Sequence, residues 1–325
     1  MADLSVPGIS NLNLRIMLTS MLIFGVVAAI MGTVLYASGI NGTNGVFIWL
    51  LFSLVMLGIQ WYLGPVIIKW VTGAKELTAA EAPELHQIVE KFARTASIPK
   101  PKIYIVNNPT PNAFAFGRTQ HDSGIAVHSG LLQVLGKEEV EGVIAHEIGH
   151  IKHRDVIVMT IASVVPIVLY YAVIIFGGSG RNDRDRGGNF IVVWIGAMIA
   201  QFLGQLLVLW VSRSREYYAD EFSAYATKKP VSLMGALAKI SYVSAKAPAD
   251  SNSMVKAFYF SSASAGEAAF AGEIAGIIAK GNEREIADAI ENEKKKGGFE
   301  LIMTHPLTYK RLDALLKIKK GEDGN

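Results

Sequence analysis

The chain has 325 residues, 51% hydrophobic and 18% charged, with a mean hydropathy of +0.32. A water-soluble domain carries about a quarter charged residues, so this balance excludes an ordinary soluble enzyme. The complete absence of cysteine excludes disulfides, thiolate nucleophiles and thiolate-bound metal. Any metal must therefore sit on His, Asp or Glu, and a scattered net charge of +3 gives no basis for a nucleic-acid partner.

The first elements in chain order are two runs without a charge, Ile16–Ala37 and Val46–Ile68. A helix rises 1.5 Å per residue and needs roughly 20 residues to cross the hydrocarbon core, so both read as membrane spans and residues 1–68 as a membrane hairpin. The first run is longer than the apolar stretch of a signal peptide, and no A-x-A site follows it, so a retained anchor is expected.

Residues 69–155 form a hydrophilic block. Leu85, Ile88, Val89 and Phe92 recur at helical spacing. Three β-like runs follow, Lys102–Val106, Asn112–Gly117 and Gly124–His128, separated by Asn, Pro, Gly and Asp. From about Lys137 a helix is expected, and it contains His146-Glu147-Ile148-Gly149-His150. Residues four apart share a helix face, so His146 and His150 can hold one Zn²⁺ through nitrogen. Glu147 is then placed to take a proton from a metal-activated water. Charged residues on both sides of the motif, from Lys137 to Glu141 and from Lys152 to Asp155, put this helix in water or at the interface and not in lipid.

A catalytic zinc needs a third protein ligand. The elongated pattern with a further His at a fixed later position fails, because those positions hold His153 and Val156. The next segment, 156–211, is a second apolar hairpin with runs Val156–Phe176 and Phe190–Val211; Pro166 should kink its first arm. By composition alone this pair could also be buried core helices, and Gln201 and Gln205 keep that alternative open. Residues 212–325 are mostly helical, with breaks near Lys228–Pro230, Ala247–Ser253 and Lys294–Gly298. At their start stands SRSREYYAD, where Glu216 and Asp220 are four apart. Glu216 could complete a His₂Glu site, and Asp220 could accept the distal ring N–H of a ligating histidine. Spacing alone leaves open an exposed acidic helix start.

Taken together, the two N-terminal spans, NAFAFG, HEIGH, the apolar hairpin, SRSREYYAD and THPLTYKR resemble the HtpX-type membrane metallopeptidases, relatives of the CaaX prenyl protease. The resemblance covers nearly the whole chain. It implies a mostly helical α+β multi-pass membrane protein with a zincin-like (gluzincin) catalytic domain carrying a small β-sheet. It also implies that His146, His150 and Glu216 bind zinc, that Glu147 is the base and that Asp220 supports a ligand. The strand at Asn112 and Ala113 would receive substrate, which fits the way an extended peptide adds to a sheet edge. His305 resembles an oxyanion donor, with Arg311 as polar support, although a His before Pro is commonly a helix-start residue.

Both His146 and Glu216 must reach one metal although two spans separate them, so the hairpin must cross and return. Lys69, Lys75, Lys137, Lys152, Arg154, Arg213 and Arg215 favour a cytoplasmic catalytic face of the cell membrane, whereas Arg181, Arg184 and Arg186 in the hairpin loop run against that rule. The expected activity is a zinc endopeptidase acting on damaged or misfolded membrane proteins in stress-related quality control. A prenyl-protein protease and a non-catalytic, zinc-stabilised membrane scaffold are the alternatives.

Overall fold

A computed structural model describes residues 42–178, 186–246, 265–297 and 300–321; the apolar run Ile16–Ala37 lies outside the described residues. The elements in order are α1 (Gly42–Thr72), β1 (Lys75–Glu76), α2 (Pro83–Ala96), β2 (Lys102–Val106), β3 (Ala113–Thr119), β4 (Asp122–His128), α3 (Ser129–Val134) and α4 (Lys137–Lys152). Then follow α5 (Asp155–Ala162), α6 (Val164–Gly178), α7 (Arg186–Thr227), α8 (Pro230–Lys246), α9 (Ala265–Lys280), α10 (Glu283–Lys296) and α11 (Thr308–Lys320). Among the described residues the fold is mostly helical with one small mixed sheet, as the resemblance implies.

The chain divides into two compact units. Among the described residues, one takes in those of 64–157 and 212–321, the other those of 42–63 and 158–211.

In the first unit the sheet runs β1-β2-β4-β3, with β2 parallel to β4 and the two outer pairings antiparallel. Alternation decides its faces. Ile103, Ala113, Ile125 and Val127 turn inward to meet Val89 and Phe92 of α2 and Val143, Ile144 and Ile148 of α4. Tyr104, Val106, Phe114 and Phe116 pack together on the other face. Helix α2 carries its four periodic apolar residues into this core and stops at Ser97, whose left-handed backbone returns its N–H to Ala93 and Arg94 carbonyls. The start of α4 is capped by Glu139, whose carboxylate accepts from the Gly136 N–H at 2.8 Å. Leu233, Met234, Leu237 and Ile240 of α8, Ile274 and Ile278 of α9, and Leu312 and Leu315 of α11 complete the core.

In the second unit Trp49, Tyr170, Tyr171 and Ala197 form a small packed cluster. Among the described residues, three helical stretches are long and apolar enough to cross a membrane: Asn44–Thr72, Asp155–Gly177 and Ile191–Thr227. Leu51, Ile161, Phe176 and Val192 in these stretches are each more than half exposed. A helix buried in a soluble core hides such side chains, so the exposure of Ile161, Phe176 and Val192 suits membrane helices in the second hairpin. The middle stretch is interrupted at Ser163, three residues before Pro166, whose missing N–H and bulky ring are accommodated in the first turn of α6. The last apolar run and SRSREYYAD, expected as separate elements, form one unbroken 42-residue helix, α7.

Candidate metal centre

The side chains that converge come from four places in the first unit. Helix α4 supplies His146, Glu147 and His150; the C-terminal part of α7 supplies Glu216 and Asp220; the loop before α11 supplies His305, and α11 supplies Arg311. Helices α4 and α7 approach closely because Gly149 has no side chain. A Cβ there would stand 3.0 Å from the Ala219 Cα and 3.4 Å from its Cβ. Ser223, one turn further, donates to the Gly142 carbonyl at 2.7 Å and ties the same two helices together. The loop carrying His305 is held on α7 by Ser212, which donates to the Thr304 carbonyl, and by Arg213, which donates to the carbonyls of Glu300 and Met303.

The result is a group of two imidazoles and a carboxylate, His146, His150 and Glu216, whose ligand atoms all lie within 4.8 Å of one another. The two histidine Nε2 atoms are 3.0 Å apart, and Glu216 carboxylate oxygens lie 3.7 Å from each of them. Four-coordinate Zn²⁺ with bonds of 2.0–2.1 Å separates its ligand atoms by about 3.3 Å. The observed spacings bracket that value, and the donor set of two ring nitrogens and one carboxylate suits such an ion.

Each of these groups is oriented by a partner. The His146 Nδ1 lies 2.9 Å from the Asp220 carboxylate. The Arg311 guanidinium donates to both Asp220 oxygens at 2.7 and 2.8 Å and stands 3.0 Å from Glu216. Arg311 is 2% exposed; a buried guanidinium demands such carboxylate partners, and its planar fork satisfies them together. His305 is half-buried, its Nδ1 3.1 Å from Glu216. The His150 Nδ1 shares a 2.6 Å hydrogen bond with Asp155, and Glu147 accepts from the Ala115 N–H at 2.7 Å.

These environments separate the titrations. Burial holds His146 down at about 4, against the pull of Asp220. Burial also pushes Glu147 up to about 7, the Ala115 N–H opposing it. For His150 burial disfavours the charge, but Asp155, Glu216 and Glu147 outweigh it and push the imidazole up to about 9.

Asn112, just before β3, and Ala113, its first residue, are buried. The Asn112 carbonyl accepts from the His128 N–H at 2.9 Å, and Ala113 pairs with Val127. Two residues further along this outer strand, Ala115 is the one whose N–H meets Glu147, a contact that no motif signals. Asp155, five residues past the HEIGH motif, and Arg215, inside SRSREYYAD, form another contact that spacing does not signal: Arg215 donates to Asp155 at 2.6 Å. The remaining histidines lie apart from the cluster. His86 faces the Leu77 carbonyl, His128 the Thr110 carbonyl, His153 packs near Tyr218, and His121 is exposed.

A helix with two histidines one turn apart and a glutamate next to the first, a second helix bringing another carboxylate, and long apolar helices in the same chain define a membrane metallopeptidase, a hydrolase of peptide bonds. Residues 79–319 match the pattern of Peptidase family M48, and the chain belongs to that family. It is 42% identical over 230 residues to a protein named Protease HtpX homolog from Methanothermobacter thermautotrophicus, covering 71% of this chain and 86% of the relative. A protein of the same name from Aquifex aeolicus is 37% identical over 297 residues, 87% of this chain and 88% of the relative. The crystal structure of S. mikatae Ste24p superposes with a TM-score of 0.52 at 16% identity, over 94% of this chain and 66% of that one, which speaks to the fold.

Proposed function

We propose that the chain is a zinc endopeptidase whose catalytic part is assembled from residues 69–155 and 212–325, carried by membrane hairpins at 1–68 and 156–211. His146, His150 and Glu216 would hold the ion, and Zn²⁺ bound there supplies a polarised scissile carbonyl and a water of lowered pKa. Glu147 takes the proton of the attacking water and returns it to the departing amine nitrogen. Asp220, itself gripped by Arg311, fixes the tautomer of His146 so that Nε2 faces the ion. His305, whose Nδ1 lies 3.1 Å from Glu216, would donate an N–H to the oxygen on which charge develops, and Arg311, 3.0 Å from Glu216, would keep that carboxylate ionised and in place. The substrate backbone would extend β3 near Asn112 and Ala113, a mode of recognition that depends little on side chains.

The observation that carries this reading is the convergence of His146, His150 and Glu216 within reach of one ion with Glu147 beside them. Backbone-led recognition suits a broad substrate class, and the apolar helices confine the enzyme to a bilayer; damaged or misassembled membrane proteins are the class that meets both conditions. The cations flanking the apolar stretches favour cleavage on the cytoplasmic side of the cell membrane. The test is Glu147→Gln in detergent with casein as substrate. The variant should keep one zinc per chain and lose cleavage, because an amide cannot accept the proton. Undiminished turnover would remove Glu147 as the base, and zinc loss would make it a ligand.

A further inference from the structure

The C-terminal end of α4 departs from the helix in a way that serves His150. On an uninterrupted helix, a residue five positions after His150 would be turned away from it by about 140°. Instead His153 ends α4, its N–H returning to the Gly149 carbonyl, and Arg154 adopts a left-handed backbone with φ of 58°. This conformation is unfavourable for a side chain bearing Cβ. It reverses the chain so that Asp155, the first residue of α5, faces back on the imidazole, with its Oδ2 2.6 Å from the His150 Nδ1. The other oxygen, Oδ1, accepts from both Arg215 Nε, at 2.6 Å, and Arg215 Nη2. Arg215 is anchored in turn: Nη2 also donates to the His153 carbonyl at 2.8 Å, and the guanidinium lies 5.6 Å from the Tyr218 ring centre. One oxygen of the carboxylate is thus committed to the arginine and the other is left for the histidine.

We propose that Asp155, locked by Arg215, is the positioning residue for His150, holding its Nδ1 protonated and its Nε2 aimed at the metal, as Asp220 with Arg311 does for His146. The two ligands on α4 would then be served by two separate carboxylate–arginine pairs. One arginine comes from α11 and the other from the residue immediately before Glu216. Arg215 therefore ties the orientation of one ligand to the segment that bears another. This inference rests on His150 being a metal ligand.

The experiment measures zinc affinity of the full chain in detergent by competition with a chromophoric chelator, together with the visible spectrum of the Co²⁺-loaded protein. Helix content and melting of the metal-free protein check the fold. Asp155→Asn keeps the shape and should weaken zinc binding about 10-fold; Asp155→Ala should weaken it by up to about 100-fold and alter the Co²⁺ spectrum. Arg215→Ala should weaken binding in the parent chain yet have no further effect when combined with Asp155→Ala, since both changes act through one carboxylate. His150→Ala is the control for the underlying reading. If it keeps parental affinity, His150 is no ligand. If it loses the metal while Asp155→Ala binds zinc as the parent does, the positioning role is overturned. Equal losses from Arg215→Ala with and without Asp155 would overturn the lock.

Discussion

Placing a methyl group at Gly149 should separate metal affinity from fold stability. The built Cβ would lie 3.0 Å from the Ala219 Cα, 3.3 Å from the Ala219 carbonyl oxygen and 3.4 Å from its Cβ. Carbon pairs settle at about 3.5–4.0 Å, so in Gly149→Ala helices α4 and α7 must part by about half an ångström at this point. Glu216 lies one turn before Ala219 on α7 and retreats with it. Metal sites tolerate ligand displacements of about 0.2 Å, so the movement exceeds what the His₂Glu arrangement absorbs. Zinc affinity should fall at least about 10-fold. The net effect on stability is about 0–2 kcal/mol, because alanine is the better helix former by up to about 1 kcal/mol while overpacking costs about 1–3 kcal/mol. Chelator competition reads the first quantity and melting of the metal-free protein the second. A Gly149→Ala protein that binds zinc like the parent would refute the argument that this glycine sets the distance between the ligand-bearing helices.

Glu216→Ala should weaken zinc binding by orders of magnitude, and Asp220→Asn by about 10–100-fold; chelator competition ranks them, and the reverse order would exchange their roles. Arg311→Met leaves Glu216 and Asp220 buried without their shared counter-charge, which should destabilise the metal-free protein by about 3–5 kcal/mol in denaturant titrations. A loss below about 1 kcal/mol would show that the two carboxylates do not depend on it. Because the chain lacks cysteine, single cysteines report sidedness without background. One at Ser38 should react with an impermeant reagent on intact cells, and one at Glu138 or Lys294 only after permeabilisation; the opposite pattern would put the catalytic face outside.

The amphipathic helix at 83–96 and the strand at 102–106 follow from local periodicity, which is why Leu85, Ile88, Val89 and Phe92 could be assigned to one face from their order alone. The adjacency of His146 and His150 is of the same kind: both ride one helix, and an i,i+4 spacing is a complete geometric statement. The continuity of α7 through SRSREYYAD was not legible, since a shift from apolar to charged residues marks a change of solvent and leaves the backbone free to continue as helix.

What the sequence by itself determined is therefore whatever depends on neighbours within a turn or two, together with the environment set by composition: apolar runs of membrane length, the helix bearing His146, Glu147 and His150, and the pairing of Glu216 with Asp220 on one face. Only the tertiary structure decided what lies across the gaps. It brought Glu216 to the histidines through the close approach at Gly149, placed Arg311 between Glu216 and Asp220, and set the Ala115 N–H on Glu147. Asp155 shows why most sharply. Helical spacing turns it away from His150, and a single left-handed residue, Arg154, turns it back. Periodicity constrains a side chain only while the helix lasts, and contacts beyond its end are settled by packing between elements distant in the chain.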